Sequence, residues 1–248
     1  MPYQSLLAVS TGTVVIIVAV VIILLGGFLY VAYLEWKKRI EAMGAMAKEL
    51  GLDFDHKPDT TVDDRFRQFR IFCKGKHRKA TNTLSGSIQL AGSDRQILMG
   101  DYEYTIETGS GSDKKSKTTN LSYLLLSTPG IDAPEVIIRK EGLFDKIGAA
   151  IGFDDIDFES AEFSKKFHVS SDSKRFAWDL IDPRMIEFLL DTESPTIEID
   201  HGWVLFVTGK RWKVEQFRPM LEYGDAFLQR WPDHVVRGLA EGRYRGED

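Results

Sequence analysis

From Val14 to Leu34 the chain reads VVIIVAVVIILLGGFLYVAYL, 21 consecutive positions with no charge and no polar face. At about 1.5 Å rise per residue, a helix of this length matches a bilayer's hydrocarbon core of roughly 30 Å. A helix buried in a soluble protein rarely stays apolar on every side for so long. A cleaved signal peptide would carry a basic start and a short apolar core followed by small residues. Here the start is uncharged and Phe28, Tyr30, Tyr33 and Trp36 occupy the far end. The pattern predicts an uncleaved, single-pass anchor.

Past the span the pattern acquires a helical period, with Ile40, Met43, Ala47 and Leu50 on one stripe and Gly51 as the stop. From Leu52 it shortens to brief apolar runs broken by turn residues. These predict strands at LDF (52–54), Phe66–Cys73, Lys79–Leu84, Ser87–Ala91, Arg95–Glu107, Leu121–Ser127 and Glu135–Lys140. A short helix is expected over Leu143–Gly152. Ile156 and Phe158 then alternate with Asp155, Asp157 and Glu159 as in a strand with one wet face.

Farther on, Ser171 or Asp172 would cap a helix over Lys174–Ile181 that buries Phe176, Leu180 and Trp178, and Asp182-Pro183 starts another ending near Leu190. TIEID and WVLFV flank His201-Gly202 as a two-residue hairpin. A last helix beginning near Pro219 places Leu221, Gly224, Phe227, Leu228 and Trp231 on one stripe, and the chain from Arg237 reads as a frayed polar tail. Strands in runs joined by hairpin-length turns predict an α+β domain on a mainly antiparallel sheet, for which a barrel closed by the C-terminal helix is one arrangement. The resulting organisation is a tail (1–13), the span (14–34), a juxtamembrane helix (35–51), a soluble domain (52–236) and a polar end (237–248).

Charge adds direction. All 32 Lys and Arg and all 37 Asp and Glu lie after residue 34, with Lys37, Lys38 and Arg39 immediately beyond the span. Basic flanks stay in the cytoplasm, so the domain is expected there and the N-terminus outside. Tyr30, Tyr33 and Trp36 would sit at headgroup level. The net charge of -5 is a poor match to a nucleic-acid surface. Cys73 stands alone, which excludes an internal disulfide and a cysteine zinc cage, and fits a reducing compartment.

Candidate chemistry is sparse. Thr108–Thr119, TGSGSDKKSKTT, resembles a phosphate loop only at first glance: counted from Gly109, the second glycine of GxxxxGK[ST] falls on Lys114, and a strand rather than a helix follows. The segment reads as a hairpin tip. Asp154, Asp155, Asp157 and Glu159 could hold a hard divalent cation, with Asp155, Asp157 and Glu159 as ligands, or simply form a solvated face. The histidines (His56, His77, His168, His201, His234) fall at no metal-ligand spacing, no GxSxG elbow is present, and no cofactor motif appears. KGKHRK (Lys74, Lys76, Arg78 and Lys79 with His77) is the strongest basic patch; it could touch anionic lipid or a partner, or be a charged hairpin tip. Lys114, Lys115 and Lys117 form a second such tip.

At GDYEYTIETGSGSDKKSKTT and DIDFESAEFSKKF the chain resembles an uncharacterised family of bacterial membrane-anchored proteins, over most of residues 45 to 231. The resemblance is carried by Asp101, Tyr102, Tyr104, Gly109, Ser110, Gly111, Asp155, Ile156, Asp157, Phe158, Glu162, Phe163 and Ser164. Gly100 replaces an aromatic of that pattern and Asp113 interrupts its turn. The resemblance implies a bacterial membrane protein and no catalytic residue, and with the basic flank the expected location is the inner (cytoplasmic) membrane. Together these readings lead to a non-catalytic, membrane-anchored module that binds a protein partner in addition to the bilayer. The alternatives are a membrane-tethered hydrolase using the acidic cluster with a bound metal, and an anionic-lipid-binding module.

Overall fold

The computed structural model describes residues 11–109, 113–141 and 156–244. The architecture is α+β. The expected helix at Leu143–Gly152, together with Asp154 and Asp155, lies outside the described residues, as do Ser110 and Gly111.

The span and the juxtamembrane helix are one element, α1 (Thr11–Leu50), 40 residues without a break. No proline interrupts it, and Gly51, at φ +69, ends it in the left-handed conformation that glycine adopts without strain. Its first half is long and apolar enough to cross a membrane. Ile23 and Phe28 are each 71% exposed, which in water would be a severe liability. Its last turns bury Met43, Met46 and Ala47 against the domain.

The sheet has eight strands: β1 (Asp53–Asp55), β2 (Lys76–Leu90), β3 (Ser93–Thr108), β4 (Lys115–Ser127), β5 (Val136–Lys140), β6 (Phe167–Ser171), β7 (Thr196–Asp200) and β8 (Trp203–Val207). Their spatial order is β1-β2-β3-β4-β8-β7-β5-β6, and every pair is antiparallel. The sheet is open, with β1 and β6 at its edges, so the barrel arrangement is corrected.

Alternation on the strands gives two apolar faces. On one, Met99, Leu124, Ile197 and Phe206 pack with the end of α1 and with the C-terminal helices. On the other, Leu98, Tyr102, Tyr123 and Leu205 pack beneath Phe66, Phe69 and Phe72.

Those three phenylalanines recur every third residue, the period of a 3₁₀ turn. Accordingly, Phe66–Cys73 is not a strand: a short helix α2 (Val62–Arg65) leads into a 3₁₀ turn at Arg70–Cys73. The strands expected at Lys79–Leu84 and Ser87–Ala91 are a single strand, β2, because Ser85 and Gly86 keep their ladder partners Leu98 and Ile97. Ile156–Ser160 belongs to no strand: Ile156 is buried and Asp157 exposed as alternation requires, yet the segment makes one ladder-like bond, Ile156 N–H to the Val169 carbonyl (2.9 Å).

The helices after it are α3 (Ala161–Lys166), α4 (Lys174–Leu180), α5 (Pro183–Asp191), α6 (Phe217–Gln229) and α7 (Asp233–Ala240). Ser173, rather than Ser171 or Asp172, caps α4, its hydroxyl accepting from Phe176 N–H. Trp178 is 52% exposed, not buried. The helix expected from Pro219 starts earlier, at Phe217, and is not the last, and among the described residues the chain beyond Arg237 is no frayed tail: α7 continues to Ala240, and Leu239 and Tyr244 are buried.

Candidate functional site

The β2–β3 ladder contains a bulge. Thr81 pairs with Asp101 and Leu84 with Met99, so Asn82 and Thr83 together oppose Gly100. Asn82 takes a left-handed φ of +52. A Cβ on Gly100 would lie 3.0 Å from the carbonyl oxygens of both Thr81 and Asn82, so the bulge has room only for glycine there.

The bulge brings the Asn82 amide to Asp101, and the rest of the shell arrives from three other segments. From α1, Arg39 donates through Nε to Oδ2 (2.8 Å) and through Nη2 to Oδ1 (2.5 Å). From the loop after β8, Arg211 donates to Oδ2 (2.8 Å). Asn82 adds a bond to Oδ2 (2.9 Å) and Ser122 on β4 one to Oδ1 (2.8 Å). Arg39 also donates to the Trp212 carbonyl (2.8 Å) and stacks its guanidinium 5.7 Å over the Phe217 ring. Burial alone would raise the Asp101 pKa, but the hydrogen bonds and charges of Arg39 and Arg211 outweigh it and hold the carboxyl below its ordinary value.

This node is the junction between the long apolar helix and the domain. The outward neighbours of Arg39 remain on the surface: Tyr30, Tyr33 and Trp36 are exposed, Lys37 faces Glu41 and Lys38 faces Glu35. Trp36 also meets the His56 ring edge-on at 6.5 Å.

A second concave feature, about 860 Å³, lies between the loop before α3 and helices α4 and α5. Phe158, Pro183 and Ile186 give it an apolar floor, the half-exposed Trp178 a wall, and Asp157, Glu159, Asp179 and Asp182 an acidic rim, with His234 alongside. Two of the expected metal ligands, Asp157 and Glu159, thus face one cavity. Among the described residues no three His, Cys, Asp or Glu side chains group closely enough to hold a metal ion.

The KGKHRK patch is largely neutralised from within. Lys76 pairs with Glu107 (3.1 Å), which Lys114 shares; Arg78 pairs with Asp63 (2.7 Å) and Lys79 with Glu103 (2.9 Å).

No protein-family model and no curated protein sequence matches the chain. A solved structure does: the crystal structure of the mycobacterial trehalose monomycolate transport factor A, TtfA, with a TM-score of 0.54 and 15% identity, covering 79% of this chain and 96% of that one. The likeness is one of fold. It spans the whole of TtfA's solved chain, to within a few residues.

One buried acid escaped the sequence. Glu198, at the centre of β7, is 3% exposed; its Oε2 accepts from Arg70 N–H (3.0 Å) and its Oε1 has no hydrogen-bond partner. Burial pushes its pKa up to about 7, despite the opposing pull of Arg70. Lys74 is half-buried and shifted down to about 8, which the field of Glu198 partly counters. The alternation in TIEID signals only that Glu198 faces away from Ile197 and Ile199; that its own side is also covered is a property of the packed 3₁₀ turn.

Proposed function

We propose that the protein is a single-pass, non-catalytic module whose domain is held at a fixed attitude on the cytoplasmic face of a bacterial inner membrane, where it receives a protein partner. The observation that carries this reading is the two-point ion pair between Arg39 and Asp101. A flexible tether needs no buried ionic contact with its own cargo, whereas a module that must present one surface to a membrane neighbour does. The basic flank Lys37-Lys38 supports the orientation. TtfA is by name a transport factor, and a shared fold supports an accessory role over a chemical one, as analogy. The groove walled by Trp178 is the docking surface this reading favours, since tryptophan is enriched among the side chains that anchor protein interfaces.

The alternative, a membrane-tethered metal-dependent hydrolase, draws its support from Asp157 and Glu159 sharing that cavity with Asp179, Asp182 and His234.

One experiment separates them. The full chain carrying a photo-crosslinking amino acid in place of Trp178 is irradiated in native membranes. A discrete, protease-sensitive adduct is expected; its absence removes the partner reading at this surface. A divalent-metal-dependent hydrolysis lost in Asp157→Asn/Glu159→Gln would establish the alternative. Orientation is tested with the lone, exposed Cys73: a membrane-impermeant thiol reagent should label it only after the cells are opened.

A further inference from the structure

Beside the Arg39–Asp101 node, α1 and the segment after β8 enclose a cavity of about 560 Å³, lined by Trp36, Lys38, Arg39, Arg211, Lys213 and Glu215, with Ala32 and Glu35 at its upper edge. We propose that this cavity seats the phosphate of an anionic phospholipid from the leaflet beside the domain.

Depth is the first argument. The uncharged run ends at Leu34, and Lys38 lies four residues on, about 6 Å along the helix. The headgroup layer of one leaflet is about 5–8 Å thick. The cavity therefore opens at headgroup level whenever α1 crosses a bilayer, and Ala32, inside the apolar run, sets one wall at the hydrocarbon boundary. Because α1 runs unbroken from the span into the domain and is pinned there by Asp101, the cavity cannot swing away from the lipid.

Charge is the second. Lys38, Arg39, Arg211 and Lys213 are opposed by Glu35, Glu215 and Asp101, so the cations outnumber the carboxylates four to three. A phosphodiester carries the single negative charge that would balance them. Arg211 gives Nη2 to Asp101 (2.8 Å) and its side chain is still 44% exposed; its planar fork suits phosphate oxygens. The half-exposed Trp36 ring is amphipathic and suited to the same depth.

The inference rests on α1 spanning lipid and is independent of any protein partner. The test is native mass spectrometry of the full chain in detergent, titrated with phosphatidylglycerol or phosphatidylcholine. The first phosphatidylglycerol should bind about tenfold or more tightly than phosphatidylcholine, and Lys38→Gln/Lys213→Gln should remove that preference, each lysine near a membrane surface contributing a several-fold effect. Lys37→Gln/Lys48→Gln, which alters the same helix outside the cavity lining, should leave it intact. Equal retention of the two lipids, an unaltered preference in the cavity variant, or equally tight binding of free glycerol phosphate or of an acidic peptide would each overturn the proposal. Unchanged melting temperatures of the variants guard against misfolding.

Discussion

Arg39, on the helix that continues from the apolar run, closes a two-point ion pair on Asp101 in the third strand, 62 residues away in sequence. The side chains are 13% and 6% exposed. The contact joins the long helix rigidly to the domain; removing Asp101 leaves both guanidiniums without their carboxylate, whereas removing Arg39 leaves Asp101 with Arg211, Asn82 and Ser122. Asp101→Asn should cost about 3–5 kcal/mol, as for other buried pairs broken from one side, and Arg39→Ala less, because Arg211, Asn82 and Ser122 still satisfy the carboxylate. Thermal unfolding of the full chain, together with spin-label distances between span and sheet, checks it: wild type should give one narrow distance and the variants a broad one. Because the Asp101 pKa is depressed in the fold, its stabilisation is present above the ordinary carboxylate pKa and is lost as pH falls through the lower folded value. The pair should therefore hold unchanged from neutral pH down to about pH 4.

Glu198 has the opposite sign. Its pKa is raised to about 7, so the fold favours its protonated form, and stability falls as pH rises from the unfolded value through about 7. Glu198→Gln, which keeps an acceptor for Arg70 N–H, should stabilise the protein at pH 8 by on the order of 2 kcal/mol and hardly at all at pH 4.5. Urea midpoints at the two pH values decide it; equal gains at both would refute the buried-acid account.

Gly100→Ala should destabilise by about 1–3 kcal/mol, because the added carbon meets backbone oxygens that cannot rotate aside. The urea m-value should stay constant while the midpoint drops.

Trp178 and Phe176 lie two residues apart on α4 yet should behave oppositely. Trp178→Ala should change stability by less than about 0.5 kcal/mol, as exposed substitutions do, while Phe176→Ala, at 0% exposure, should cost about 3–5 kcal/mol.

The segment from Arg237 to Tyr244 is structural. Tyr244 packs on Phe176 at 5.3 Å and donates to Asp179 (2.8 Å). Tyr244→Ala should cost about 3 kcal/mol, and truncation at Arg237 should make α4 sensitive to protease.

Elements whose signals are local were legible before the fold was known. The His201-Gly202 turn needs two left-handed residues between matched strands, and both adopt them, at φ +42 and +77. Asp182-Pro183 starts α5, with Asp182 Oδ1 accepting from Met185 N–H (2.9 Å). The stripe from Leu221 to Trp231 is buried as its period requires, apart from a half-buried margin. Failures came where a local signal had two structural meanings. Phenylalanines at every third position suit a 3₁₀ turn as well as an apolar strand, and Ser-Gly inside β2 suits a continuous edge-crossing ladder as well as a turn. The tail read as polar because Leu239 and Tyr244 are too few to make a stripe, although each finds a buried place.

The amino-acid sequence by itself determined the apolar span, its basic flank, the hairpin pattern and the α+β class, because each depends on neighbours a few residues apart along one chain. Only the tertiary structure decided that Arg39, Asn82, Asp101, Ser122 and Arg211 meet. Five residues from four strands and loops and one long apolar helix converge there through a one-residue bulge, and a bulge is set by how two strands pair across space, not by the order of residues within either.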